Sequence, residues 1–130
     1  MKTYWFILLL LSVYACQGNA QQEGTTNSNA PYQDIDVNAF STLMQKENTV
    51  ILDVRTPGET QRGIIEGAVE IDILAGNFSA TIQSLDKEKT YLVYCQSGKR
   101  SVTACNQMAE AGFTNLYNLL GGYGAWSKAK

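Results

Sequence analysis

The sequence predicts an α/β domain with a mainly parallel central sheet flanked by helices on both faces, and three observations support this. Val50–Val54 and Tyr91–Cys95 are rich in β-forming residues and apolar at both odd and even positions, as in strands covered on both faces. Helical patterns alternate with the strands along the chain, which favours parallel pairing. The 130 residues suit one domain, because they leave no room for two independent cores.

The remaining elements follow from apolar spacing, from β-forming runs and from stop signals such as Gly112, which ends the third predicted helix. In chain order, the prediction is a helix at Val37–Lys46, a strand at Val50–Val54, a weaker strand at Ala68–Ile71, a helix at Phe78–Leu85, a strand at Tyr91–Cys95, a helix at Ser101–Ala111, a weaker strand at Asn115–Leu119 and a short helix at Tyr123–Lys128. Sites in such sheets form where strands end and helices begin. The segments after Asp53 and after Cys95 meet that description.

The first residues have the pattern of an export leader. Met1–Thr3 carry one positive charge, and Tyr4–Val13 form an apolar core that is too short for a membrane span, which needs about 20 residues. We therefore predict a signal peptide at residues 1–15. Val13–Cys16 resembles the bacterial lipobox, in which the cysteine becomes the lipidated N-terminus. The alternative is a plain secretory leader in which Cys16 is incidental.

Residues 16–31 are predicted to be the lipidated cysteine and a flexible tether, because Gln, Gly, Asn, Thr and Ser dominate there without an apolar period. The folded domain then occupies residues 32–130. We expect an exported protein that is lipid-anchored to a bacterial membrane and faces the periplasm or the cell surface.

Composition excludes several kinds of function. Ten Lys and Arg against twelve Asp and Glu give a net charge of −2 without a long basic run, so no nucleic-acid partner is expected. The chain has no histidine, which excludes His-activated nucleophiles, His-ligated zinc and imidazole acid–base catalysis. No motif specifies a metal or an organic cofactor. Any chemistry must come from Cys, carboxylates, Lys, Arg, Tyr or backbone amides.

Cys95–Arg100 leads from the end of a predicted strand into a helix beginning near Ser101. Successive amides in a tight loop form an anion-binding nest, and the helix adds the positive end of its dipole. Lys99 and Arg100 add positive charge, and Gly98 permits backbone conformations that a side chain resists. These effects favour thiolate, so Cys95 is a candidate nucleophile. The alternative is a buried structural cysteine followed by an ordinary basic turn.

Four motifs occur in order along the chain. Cys95–Ser101 (CQSGKRS) is a six-residue cradle that opens with Cys, closes with Arg and is followed by Ser. It is accompanied by Asp53–Glu59 (DVRTPGE), Gly63–Ala68 (GIIEGA) and Leu120–Trp126 (LGGYGAW). Together they resemble the motifs of the rhodanese (sulfurtransferase) family over roughly residues 34–130. Ile64 stands where His is common in the family, so any polar role of that His is absent.

The resemblance implies a single rhodanese-like domain in which Cys95 takes a sulfane sulfur from a donor such as thiosulfate or a persulfide. Cys95 becomes a persulfide and passes the sulfur to a thiophilic acceptor such as cyanide or a thiol. No cofactor is implied, and no protein partner is specified. The implied anion cradle consists of Gln96, Ser97, Gly98, Lys99, Arg100 and Ser101.

Asp53, Arg55 and Glu59 follow the other strand end, where we expect them to support the loop. Asp53 and Glu59 would act through Arg100 or through the loop amides. For Arg55 a solvated surface position is an equal alternative, and Arg62 and Asp72 are given no role.

Cys105 lies on the apolar face of its predicted helix, which indicates core packing. The alternative is a resolving thiol that forms a disulfide with Cys95. Tyr91, Tyr94 and Trp126 are predicted to be core or sheet-face residues.

The nearest rival enzymes, the cysteine-dependent phosphatases, place five residues between Cys and Arg. Here Arg100 follows Cys95 after only four, and Ser101 occupies the position of the phosphatase Arg. Three further functions stay open on the same fold: a persulfide carrier without turnover, a redox sensor and an interaction module.

Overall fold

The computed structural model describes residues 29–130. The predicted leader at 1–15 and the predicted lipidation of Cys16 lie outside the described residues, as does most of the predicted tether. Within residues 29–130, no helix combines the length and the apolar composition that a membrane span requires.

The described residues form a five-stranded sheet. The strands are β1 (Gln33–Ile35), β2 (Thr49–Asp53), β3 (Val69–Glu70), β4 (Thr90–Tyr94) and β5 (Leu116–Leu119). Their order in the sheet is β1-β5-β4-β2-β3, and every neighbouring pair is parallel, which confirms the predicted parallel sheet. The helices are α1 (Val37–Leu43), α2 (Pro57–Thr60), α3 (Phe78–Thr81), α4 (Lys99–Glu110) and α5 (Gly122–Lys128), with 3-10 helices at Ile73–Ala75 and Ile82–Ser84.

The two central strands are apolar at every position because both of their faces are covered. Leu52 and Val93, which are partners in the register of β2 and β4, lie in one core with the buried residues of α3 and α4. Leu92 and Tyr94 lie in a second core on the opposite face, with Phe40 of α1 and residues of α5. Alternate side chains of a strand point to opposite faces, so a sheet between two helical layers needs apolar residues of both parities.

One strand and one α-helix were not predicted. β1 is only three residues long and reads Gln-Asp-Ile, and it is a strand because it pairs with β5, where Ile35 lies opposite Leu119. α2 is a single turn with Pro57 in its first turn and a capping box between Thr56 and Glu59. Neither segment is long enough to show a hydrophobic period.

Three predicted helices differ from the structure in their bounds: one ends earlier, one is divided and one begins earlier. α1 ends at Leu43 rather than Lys46, because the amides of Gln45 and Lys46 bond to carbonyls three residues back and the last turn tightens. The helix predicted at Phe78–Leu85 is divided into α3 and a 3-10 turn. α4 begins at Lys99, two residues before Ser101, since Gly98 precedes it in a left-handed conformation with φ 96°.

Candidate active site

Three chain segments meet where the parallel strands end. Asp53, the last residue of β2, lies opposite Tyr94, the last residue of β4. The segment after β2 and the loop after β4 therefore leave the sheet side by side, and the turn after β5 joins them through Tyr123. The structure thus brings together motifs that are far apart in the sequence.

Cys95 follows β4 directly and is 1% exposed. Its Sγ accepts hydrogen bonds from the Gly98 amide at 3.1 Å and from the Ser101 hydroxyl at 3.4 Å. Burial by itself raises the pKa of the thiol, but hydrogen bonds from Ser101 and from the amides of Ser97 and Gly98 outweigh it and lower the Cys95 pKa. The loop therefore favours thiolate without a histidine.

The thiol is hydrogen-bonded by amides and one hydroxyl rather than by the neighbouring cationic side chains. Lys99 is exposed, and within residues 29–130 no hydrogen bond joins its ammonium group or the Arg100 guanidinium to Sγ. A Cβ on Gly98 would make a tight contact of 3.3 Å with the Gly121 amide nitrogen, and the positive φ of Gly98 also favours glycine.

Arg100 is held by Glu59 instead. Its two terminal nitrogens lie 2.8 and 2.6 Å from the two Glu59 carboxylate oxygens, which is a bidentate ion pair. The same carboxylate accepts hydrogen bonds from the amide and hydroxyl of Thr56. Together with Arg100, these bonds lower the pKa of Glu59 to about 2. The pair connects α2 to the first turn of α4 and so supports the Cys95 loop from the outside.

Asp53 and Arg55 form a second, fully buried pair. The Arg55 Nη2 lies 2.7 Å from Asp53 Oδ2, and the two side chains are 2% and 0% exposed. The solvated-surface interpretation of Arg55 is therefore wrong. Its side chain also donates to the Gly63 carbonyl at 2.8 Å and to the Gln96 side-chain oxygen at 3.3 Å. Asp53 thus reaches the loop through Arg55 and Gln96.

That arrangement corrects the expected role of Asp53. We predicted that Asp53 would brace the loop through Arg100 or through loop amides, but its carboxylate binds the side chain and amide of Arg55. The reason is proximity along the chain, since a single residue separates Asp53 from Arg55 and the pairing needs no long-range approach. The Arg55 guanidinium then stacks on the Tyr123 ring with 4.1 Å to its centroid.

The start of α5 forms a third support that sequence reasoning missed. The Tyr123 amide donates to the Cys95 carbonyl at 2.8 Å, and the Gly124 amide donates to the Gln96 carbonyl at 3.0 Å. Gly122 has φ 57°, and a Cβ there would lie 2.7 Å from the Gln96 carbonyl carbon. The only sequence signal was the pair of glycines that begins two residues after the end of β5, which we used for the resemblance without assigning a role.

Cys105 packs in the core between the sheet and α4, where it is 0% exposed. Burial raises the pKa of its thiol to about 12. Cys95 and Cys105 are both free thiols in the structure. Core packing therefore describes Cys105, and a thiol that stays protonated is poorly suited to resolving a disulfide.

The three aromatic residues that we predicted to lie in the core or on a sheet face pack in the two cores. Tyr91 and Tyr94 are buried, and their hydroxyls bond to the Asp86 carbonyl and the Ile65 amide. Trp126 packs edge-on against Phe40 with 5.8 Å between ring centroids.

A cavity of about 420 Å³ lies beside the Cys95 loop. Its lining residues are Arg55, Glu59, Arg62, Gln96, Tyr123 and Ser127. Arg62 was given no role from the sequence. The described residues contain no cluster of Cys, Asp and Glu side chains that could hold a metal ion.

Replacing Glu59 with Gln is expected to lower the free energy of unfolding at neutral pH by about 1–3 kcal/mol. Because the folded-state pKa of Glu59 lies at about 2, below its ordinary value of 4.5, its stabilisation is complete above pH 5 and is lost as the pH falls toward 2. Urea unfolding between those pH values measures the decrease in the free energy of unfolding with falling pH, here called the acid limb. Glu59→Gln is expected to make this decrease less steep.

Glu66→Gln is the matched control, because Glu66 is exposed. It is expected to leave the limb unchanged. Equal acid limbs in Glu59→Gln and the wild type would contradict the role of the Arg100 pair.

Comparisons of the sequence and of the structure with known proteins indicate the same family. Residues 36–129 match the family model of the rhodanese-like domain. A sulfurtransferase of Allochromatium vinosum is 30% identical over 86 residues, which cover 66% of this chain and 78% of that protein. A thiosulfate sulfurtransferase of Coxiella burnetii is 32% identical over 84 residues, covering 65% and 77%. The crystal structure of a rhodanese-related protein from Thermoplasma volcanium is 26% identical, with a TM-score of 0.67, and the match covers 75% of this chain and 93% of that one.

Proposed function

The chain belongs to the rhodanese-like domain family, and from that premise we propose that it is a sulfurtransferase in which Cys95 carries the sulfur as a persulfide. One observation carries the proposal: Sγ of Cys95 accepts hydrogen bonds from the Gly98 amide and the Ser101 hydroxyl, which lower its pKa. The sulfurtransferase names of the relatives support the same chemistry.

In the first half-reaction the Cys95 thiolate attacks the sulfane sulfur of a donor such as thiosulfate. A sulfur–sulfur bond to Cys95 forms, the sulfane sulfur's bond to the sulfonyl group breaks, and sulfite leaves with the electron pair. The persulfide that remains is an anion beside amide and hydroxyl donors. Such donors stabilise charge at low reorganisation cost because the loop already holds them in place.

In the second half-reaction an acceptor, cyanide or a thiolate, attacks the outer sulfur. The bond between the two sulfurs breaks, and Cys95 leaves as a thiolate. Because this leaving group is already stabilised by the loop, no general base is needed. That agrees with a chain that contains no histidine.

The two arginines beside the loop serve to position it. Arg55 is engaged by Asp53, and Arg100 is engaged by Glu59. Lys99 is exposed at the start of α4 and supplies long-range attraction for an anionic donor.

The proposal is tested with the purified full chain after Cys95 has been reduced and the reductant has been removed. Incubation with thiosulfate alone is expected to add one sulfur atom to the intact mass, and thiosulfate with cyanide is expected to yield thiocyanate. A sulfur gained without turnover on cyanide or thiols would favour a carrier. Neither signal from protein with reduced Cys95 would overturn the proposal and favour an interaction module.

We also propose that the chain is exported and lipid-anchored to a bacterial membrane through Cys16. The support is the sequence: the short apolar leader, the lipobox-like Val13–Cys16 and the polar segment that follows. A tether of this kind keeps the domain close to the membrane surface.

Labelling in a bacterial host tests the anchor. Radiolabelled palmitate is expected to enter the wild type and Cys95→Ser but not Cys16→Ser, and only the labelled proteins are expected in the membrane fraction. Label in Cys16→Ser equal to that in the wild type would contradict lipidation at this residue.

A further inference from the structure

The cavity beside the Cys95 loop is lined by residues that contact the backbone at Cys95 or support the loop. Gln96 of its lining follows Cys95, and the amide of Tyr123 donates to the Cys95 carbonyl at 2.8 Å. Glu59 of its lining holds Arg100, which closes the loop. A molecule bound in this cavity therefore lies beside the chain segment that carries Cys95.

The cavity has one cation that is not engaged by a carboxylate. Of its charged lining residues, Arg55 is paired with Asp53 at 2.7 Å, and Glu59 is paired with Arg100 at 2.6 Å. Arg62 is exposed, and the ion pairs found within residues 29–130 do not include it. The charge that the lining offers to a ligand is consequently the single positive charge of Arg62.

The size of the cavity indicates an organic ligand. Its volume of about 420 Å³ falls within the range of roughly 300–1,000 Å³ that small-molecule sites have. A sulfur oxyanion or cyanide would fill only a small part of it. The uncharged lining residues are Gln96, Tyr123 and Ser127.

On the premise of the proposed sulfur transfer at Cys95, we propose that this cavity is the acceptor site and takes small thiols that bear a carboxylate, which Arg62 binds. The acceptor thiolate attacks the outer sulfur of the Cys95 persulfide and forms a new sulfur–sulfur bond. The bond to Cys95 breaks, its electron pair returns to Cys95 as thiolate, and the acceptor leaves as a persulfide. No oxidant or reductant is consumed.

Three thiols with the same two-carbon spacing test the charge preference: 3-mercaptopropionate is anionic at its far end, 2-mercaptoethanol is neutral and cysteamine is cationic. The full chain is first loaded with thiosulfate, and the rate of sulfur loss to each thiol is followed by intact mass. Arg62→Gln is expected to slow sulfur transfer to 3-mercaptopropionate by about threefold to fivefold, which is the effect of losing an exposed ion pair. The rate of transfer to 2-mercaptoethanol is expected to stay unchanged. Added salt is expected to reduce the difference between the wild type and the variant.

Lys46→Gln is the matched control. It removes the same charge from an exposed residue that precedes β2. This residue therefore lies near the start of the parallel strands, whereas Cys95 lies at their other end. This variant is expected to react like the wild type with all three thiols.

The outcomes separate this inference from the proposed function. Failure of the wild type to gain a sulfur from thiosulfate would overturn the transfer chemistry itself. If the wild type loads normally and Arg62→Gln changes all three thiols equally, or none, the acceptor site at Arg62 is overturned while the sulfurtransferase proposal stands.

Discussion

Replacing Cys95 with Ser is expected to abolish sulfur transfer, with thiocyanate formation falling by at least about a thousandfold. A serine hydroxyl stays protonated at neutral pH and cannot form a persulfide, although it can keep the hydrogen bonds from the Gly98 amide and the Ser101 hydroxyl. Thiocyanate production and intact mass after thiosulfate measure the two consequences, and no sulfur should be gained.

The control is Cys105→Ala, which removes the other thiol found in the described residues. Because Cys105 is buried in the core with a raised pKa, this variant is expected to gain one sulfur as the wild type does, with only a modest loss of stability. If Cys95→Ser gained a sulfur and Cys105→Ala did not, the persulfide would form on Cys105 and the proposed role of Cys95 would be wrong.

Gly122→Ala is expected to reduce kcat/KM by about a hundredfold and the free energy of unfolding by about 1–3 kcal/mol. The added Cβ would lie 2.8 Å from the Gln96 carbonyl oxygen and 2.7 Å from the carbon, so the loop or α5 has to move. That movement breaks the bonds from the Tyr123 and Gly124 amides to the two carbonyls after β4. Thiosulfate kinetics and urea unfolding measure both effects.

Gly76→Ala separates the clash from the cost of backbone conformation. Gly76 also has a left-handed φ, 82°, but a Cβ there meets nothing within 4 Å. This control is expected to lose about 1–2 kcal/mol of stability and to keep full activity. Equal activity losses in the two variants would show that contact between α5 and the Cys95 loop is unimportant.

The arrangement of these supports around one thiol shows how a small domain lowers the pKa of a cysteine without histidine. Amides and Ser101 contact Sγ, the Glu59–Arg100 pair holds the start of α4, and the start of α5 holds the carbonyl side of the loop. Only the first group acts on the thiolate by direct hydrogen bonds. The others keep those bonds at the right geometry, which is what preorganised electrostatic stabilisation requires.

The sequence was sufficient where the physics is local. β2 and β4 could be predicted because strands covered on both faces need apolar residues of both parities, and their observed ends differ from the predicted ends by one residue. Cys95 could be identified as a candidate because a strand end, a glycine and a helix start follow one another within a few residues. Its hydrogen bonds indeed come from residues three and six positions further along the chain.

The sequence was insufficient where partners come from distant segments. β1 exists only through pairing with β5, and Gly122 is required only because α5 approaches the Cys95 loop. Arg55 was open to a surface interpretation because nothing in its neighbourhood shows that the Tyr123 ring and Gln96 cover it. The cavity that includes Arg62 is likewise formed by three segments that no local pattern connects.

The sequence alone thus determined the parallel α/β architecture and the loop around the candidate nucleophile, because apolar periodicity and loop chemistry are properties of contiguous residues. Only the tertiary structure decided which carboxylate holds which arginine, where glycine is obligatory and which cation remains for a ligand. Those outcomes depend on the approach of strand ends that lie side by side in the sheet but about forty residues apart in the chain, such as Arg55 and Gln96.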